Sequence, residues 1–204
     1  MHMQSAVKPN DKKQQNAVAI FVLLAVILFT WWYMFSSGSP STPAAPAASA
    51  TTPVAVTANM SDADKLKALA TNAIADSNKT LGNDATVRGV DVVPQEQGGY
   101  GVFVEFDAMQ STSASVMKQG IEYAMADVYD ALYTSSLDVR TASVAAYLPL
   151  TDKYGNTSAG MVYKTMLDKA TASKVNWSAS TDTLYWQVLP GLWTTTILNP
   201  SLSS

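Results

Sequence analysis

Residues 17–35 (AVAIFVLLAVILFTWWYMF) contain no charge, no proline and no glycine. As a helix this run covers roughly 28 Å, close to the hydrocarbon thickness of a bilayer. Lys8, Lys12 and Lys13 precede it, and the next cation is Lys65. That asymmetry puts the amino terminus in the cytoplasm and the rest of the chain outside. Trp31, Trp32 and Tyr33 cluster at the outer end, where amphipathic rings favour the headgroup region. A cleaved secretory signal is the competing reading, and Ser36-Ser37-Gly38 would pass as its cleavage site. Such a signal, however, has a core of about 7–15 residues ending in small side chains. This run is longer and ends in bulky aromatics, so a retained signal-anchor in the cell membrane is expected. The chain has no cysteine, which rules out a lipoprotein-type anchor and requires the exported part to fold without disulfides.

The organisation expected is a cytoplasmic tail (1–16), a transmembrane helix (17–35), a linker (36–60) and an extracytoplasmic domain (61–204). The linker is rich in Pro, Ala, Ser and Thr and carries no charge; its prolines at 40, 43, 46 and 53 favour extended conformers over helix. Of the 13 basic residues three precede the apolar run, and of the 16 acidic residues only Asp11 does. The exported part is therefore acidic by about five charges, which gives no attraction for nucleic acid or anionic lipid.

Ser61 can cap a helix whose first turn carries Asp62 and Asp64. Leu66, Leu69, Ala70, Ala73 and Ile74 then recur on one stripe. Two β-prone runs, 85–93 and 100–108, flank a proline and two glycines and read as a hairpin that sets Arg88 opposite Glu105. The strongest helical pattern is 113–135, with Met117, Ile121, Ala124, Met125, Val128 and Leu132 facing inward. Its other face carries Lys118, Glu122, Tyr129 and Tyr133. These four are the candidate protein-contact residues, although for the two tyrosines packing beneath the carboxy-terminal tail is the favoured reading. A second hairpin, 137–150 and 157–168, closes through Asp152, Gly155 and Asn156. The order αββαββ predicts an α+β fold: a four-stranded antiparallel sheet with both helices on one face. The aromatic-rich segment 183–204 is expected to cover apolar surface as an irregular or short-strand extension.

Pro149, Leu150, Asp152, Tyr154, Gly155 and Asn156, followed by Lys174-Val175-Asn176-Trp177, spell a PLxDxYGN…K[IV]NW pattern. It resembles a group of uncharacterised bacterial extracytoplasmic domains, mostly Gram-positive, that are secreted or membrane-tethered. The resemblance spans about thirty residues and implies location and an α+β fold, but no activity, ligand or catalytic residue.

The only histidine is His2, so Ser-His-Asp, Cys-His and ordinary zinc constellations cannot form in the exported part. No phosphate-binding glycine loop is present, and neither a cofactor nor a metal is expected. Glu105 and Asp107 share a strand face and are the one carboxylate pair that a wall-glycan hydrolase could use. The leading expectation is a non-enzymatic binding domain whose partner is an envelope protein or wall component. The rival readings are a subunit of a surface filament, secretion or conjugation assembly, and, less favoured, that hydrolase.

Overall fold

The computed structural model describes residues 51–82 and 84–202. The tail, the apolar run 17–35 and the first part of the linker lie outside them. Among the described residues no helix is long and apolar enough to cross a membrane.

Helix α1 (Asp62–Leu81) starts where Ser61 accepts the Asp64 N–H and ends in left-handed Gly82. Strands β1 (Thr86–Pro94) and β2 (Tyr100–Asp107) form the first hairpin. Helix α2 (Ala114–Tyr133), capped by Ser113, leads to β3 (Val139–Thr151) and β4 (Thr157–Asp168). A short helix α3 (Lys169–Ala172) and a series of helical turns (Thr181–Thr183, Leu184–Val188, Leu189–Leu192) precede β5 (Thr194–Leu198) and a 3-10 turn at Pro200–Leu202.

The α+β class is as expected, but the sheet has five strands in the order β1-β2-β3-β4-β5 and is mixed. β2 and β3 run parallel, with Tyr100 beside Val139 and Phe106 beside Ala146. The cause is α2. A helix of 20 residues carries the chain about 30 Å back along the sheet, so β3 starts next to the start of β2. A helical crossover between neighbouring strands makes them parallel, whereas only direct turns make hairpins. The fifth strand comes from the carboxy-terminal extension, which pairs antiparallel with β4 from Tyr163 to Met166.

The three central strands present alternate residues to the helices. Val102, Val104 and Phe106 of β2, Ala142, Val144 and Ala146 of β3, and Thr165 and Leu167 of β4 are buried. Leu66, Ala70 and Ile74 of α1 and Ile121, Met125, Val128 and Leu132 of α2 complete one continuous core. The helical turns 181–192 close over α2. There Tyr123 meets Tyr185 edge-on at 5.0 Å and Trp186 at 5.7 Å.

Thr51, assigned by composition to the linker, is bonded to the domain. Its hydroxyl donates to the Ala85 carbonyl at 3.2 Å and accepts the Val87 N–H at 3.0 Å. Asn72 of α1 likewise exchanges bonds with both backbone groups of Val54.

Candidate functional site

Of the four residues proposed from sequence as a contact surface, Glu122, Tyr129 and Tyr133 bond to groups on β4. Tyr129 has no exposed surface. Its hydroxyl is 2.7 Å from Thr165 Oγ1, and Trp193 packs 5.7 Å from its ring. Tyr133 donates to the Leu167 carbonyl and stacks on Trp177 at 6.0 Å. Glu122 is buried, accepts the Tyr163 hydroxyl at 2.9 Å and pairs with Lys118 at 3.3 Å. A polar-looking helix face became interior because α2 is enclosed on several sides, by the sheet, by α1 and by the tail. The hydroxyls on that face bond to groups on β4, which satisfies them without water. Desolvation raises the Tyr129 and Tyr133 hydroxyls above the usual tyrosine range. Tyr129 and Glu122 are therefore no docking surface in this fold; Lys118 alone of the four keeps substantial exposure.

On the opposite face of the sheet Val93, Met166 and Ile197 are exposed, whereas Ser143 and Ala145 of β3 are buried. A one-residue bulge between Val87 and Gly89 turns Arg88 onto that face and shifts the expected register. Gly89, not Arg88, stands opposite Glu105. Arg88 instead forms a 2.7 Å ion pair with Asp107. Its guanidinium also lies over the Tyr147 ring, 4.5 Å from the centroid. The Tyr147 hydroxyl in turn donates to Glu105 at 2.7 Å, and burial, with Glu105 next, pushes it up to about 12. Arg88, Asp107, Tyr147 and Glu105 thus form one chain of contacts across three strands.

Beside this cluster the registers align Phe103 with Asp91 on β1 and Ser143 on β3, and Ser143 with Met166 on β4. Lys164 stands next to Ile197 in the same way. Phe103 is half-buried, whereas Val93, Met166 and Ile197 are exposed. Both helices and the carboxy-terminal turns pack against the other side. The same face thus carries the charged and aromatic cluster on β1–β3 and, with Ala145 and Lys164 between Glu105 and Ile197 and Ser143 between Phe103 and Met166, exposed apolar side chains on β4 and β5. Arginine and tyrosine next to apolar surface are the side chains that dominate protein–protein contacts.

As an acid–base pair Glu105 and Asp107 are each engaged, one by Tyr147 and the other by Arg88. Among the described residues no group of three or more His, Cys, Asp or Glu side chains is placed to hold a metal ion. Sequence reasoning overlooked Phe103, Tyr147, Met166 and Ile197. The alternation within β2 and β4 carried the signal, but it needed the five-strand order to be read.

The PLxDxYGN segment forms the turn joining β3 to β4. Asp152 Oδ1 accepts the Tyr154 and Asn156 N–H groups at 2.8 and 2.9 Å, and Oδ2 accepts from the Asn156 side chain at 3.1 Å. Those bonds hold the exposed Asp152 carboxyl below the usual range. Gly155 sits at φ +87°, a conformation that favours glycine. Leu150 packs against Gly160, where a Cβ would come within 2.5 Å of Leu150 Cδ1. Tyr154 has no such duty in the turn and is 77% exposed. The Lys174 to Trp177 part of the pattern is structural: Val175 is buried, and the Trp177 indole donates to the Ala172 carbonyl.

No protein-family model, curated protein or solved structure matches this chain.

Proposed function

We propose that this is a single-pass membrane protein whose α+β domain stands outside the cell membrane and binds a protein of the envelope without chemistry of its own. The observation that carries the binding role is the sheet face away from α1 and α2, which holds both the Arg88–Asp107–Tyr147–Glu105 cluster and exposed Met166 and Ile197. A soluble fold ordinarily leaves such a face polar; one that mixes paired charges with apolar side chains suits a partner that buries both. The apolar run 17–35 and the lysines before it support the anchor and its orientation. The PLxDxYGN…K[IV]NW resemblance agrees with an extracytoplasmic location.

A photo-crosslinking residue at Phe103 or Ile197, with Lys67 on the exposed side of α1 as control, tests the reading in intact cells. Discrete adducts with an envelope protein should arise from the two sheet positions and not from the control. Identical patterns at all three positions, or adducts at none, would discard the proposed face; adducts with wall glycan would assign a different partner. Protease added to whole cells should digest the domain if it lies outside.

A further inference from the structure

The β3–β4 hairpin runs beyond the rest of the sheet. β2 stops pairing with β3 at Tyr147, and β5 stops pairing with β4 at Tyr163. From Leu148 and Gly160 the two strands continue to Thr151 and Thr157, and among the described strands each pairs there only with the other. β5 ends there because Asn199 gives a last bond to the Val162 carbonyl and Pro200 starts a 3-10 turn that leads the chain away. Residues 157–161 (TSAGM) of β4 therefore have an outer edge with which no described strand pairs.

The phase of that edge follows from the turn. The Asp152 N–H donates inward to the Asn156 carbonyl. Opposed pairs in an antiparallel ladder alternate between bonded and non-bonded, so Leu150 with Ser158 is bonded, and Pro149 with Ala159 is not. Thr157 and Ala159 thus direct N–H and C=O groups outward. On the other edge of the hairpin the outward positions are Thr151 and Pro149, and Pro149 has no N–H to give.

The remaining features decide what pairs there. A row of outward N–H and C=O groups recognises another extended backbone. Residues 157–161 carry no charge, so a copy of the same segment meets no like charge opposite it. An antiparallel edge is self-complementary under a two-fold axis, and such a contact closes at two copies. Head-to-tail growth through the hairpin would use the β3 edge, where Pro149 interrupts the outward N–H row. The β1 edge is guarded as well: Thr51 occupies the Val87 N–H, a bulge follows at Arg88, and the strand ends in Pro94.

We infer that the chain self-associates as a dimer by pairing residues 157–161 of β4 with the same segment of a second copy. Thr157 of one copy stands opposite Ala159 of the other, and Ser158 lies on the two-fold axis facing its own counterpart. The exposed turn at Tyr154 then reaches the corner at Asn199 and Pro200 of the second copy. This inference rests on the free edge alone and is independent of the proposed sheet-face partner.

Because the chain has no cysteine, Ser158→Cys in the full-length protein in mild detergent is a clean probe. Facing residues in a non-bonded antiparallel pair have Cα atoms about 4.5 Å apart, within the range a disulfide spans. Mild oxidation should give a reducible species of twice the chain mass from Ser158→Cys and none from Glu96→Cys in the β1–β2 loop. Ala159→Pro removes an outward N–H and leaves the β3 ladder intact, so it should shift the light-scattering mass to one chain with an unchanged circular dichroism spectrum. A monomeric parent protein, cross-linking equal at positions 158 and 96, or a dimer that persists in Ala159→Pro would overturn the inference. Should Ala159→Pro not fold, the Ser158→Cys result decides alone.

Discussion

The Tyr185 hydroxyl lies 2.6 Å from Asp127 Oδ1 and ties the helical turns of the tail to α2. The same hydroxyl is 3.2 Å from Asp130 Oδ2, so one donor serves two carboxylates. Burial pushes Asp127 up to about 6; the Tyr185 bond opposes the shift, and the charges of Asp130 and Asp76 add to it. The folded state therefore holds this proton more tightly than the unfolded chain does. Its stabilising contribution is complete below the ordinary carboxyl range and is lost as pH rises through about 6. Between about pH 4 and pH 8 the loss should be on the order of 2 kcal/mol. Asp127→Asn should remove that difference relative to the parent protein, as read by urea unfolding at the two pH values. An unchanged difference would mean that Asp127 is not the group responsible.

Trp193 packs on Tyr129 from the carboxy-terminal side, and it is itself buried. Trp193→Ala should cost about 3–5 kcal/mol by leaving a cavity over α2. Amide exchange should rise first in residues 181–202 and leave β1 and β2 protected. Uniform loss of protection would show that the tail is not a separable cover.

In the β3–β4 turn, Gly155→Val forces a β-branched side chain into φ +87°. It should destabilise the protein by about 1–3 kcal/mol. Asp152→Ala removes the acceptor of three bonds in the same turn and should lower the unfolding midpoint. Tyr154→Ala, which removes an exposed ring, should leave the unfolding midpoint unchanged. Thermal melts of the three variants separate structural positions from the one free for contact.

Arg88→Ala removes both the Asp107 pair and the cation over Tyr147. These groups are half-exposed, so the stability change should stay below about 1 kcal/mol. Adducts from the Phe103 crosslinker should nevertheless fall sharply if the cluster is the contact surface. Retained adducts would move the partner elsewhere on the molecule.

Local chemistry was legible in the sequence wherever short-range forces decide structure. The Ser61 cap, both hairpins and the Asp152 turn could be read from residue type and spacing, and so could the α+β class. What was not legible depended on where a whole element is placed. The parallel β2–β3 junction follows from the length of α2, a global constraint that strand patterns do not display. Packing of Tyr129 beneath the tail agrees with the favoured reading of that residue, but the β4 partners of Tyr129, Tyr133 and Glu122, namely Thr165, Leu167 and Tyr163, are 34 to 41 positions away and no helix pattern names them. Arg88 was matched with the wrong carboxylate because a single-residue bulge leaves no mark in composition. The sheet-face cluster depends on all of these at once, and no local signal named it.

Thr51 has a mechanical consequence. Its hydroxyl bridges Ala85 and Val87 at the start of β1, so tension arriving along the upstream chain enters the domain at that edge strand. Two hydrogen bonds, and behind them the exchange between Asn72 and Val54, would yield before the β1–β2 ladder felt the pull. A force applied from that end is met by a small sacrificial latch, and the central strands are spared until the latch has opened.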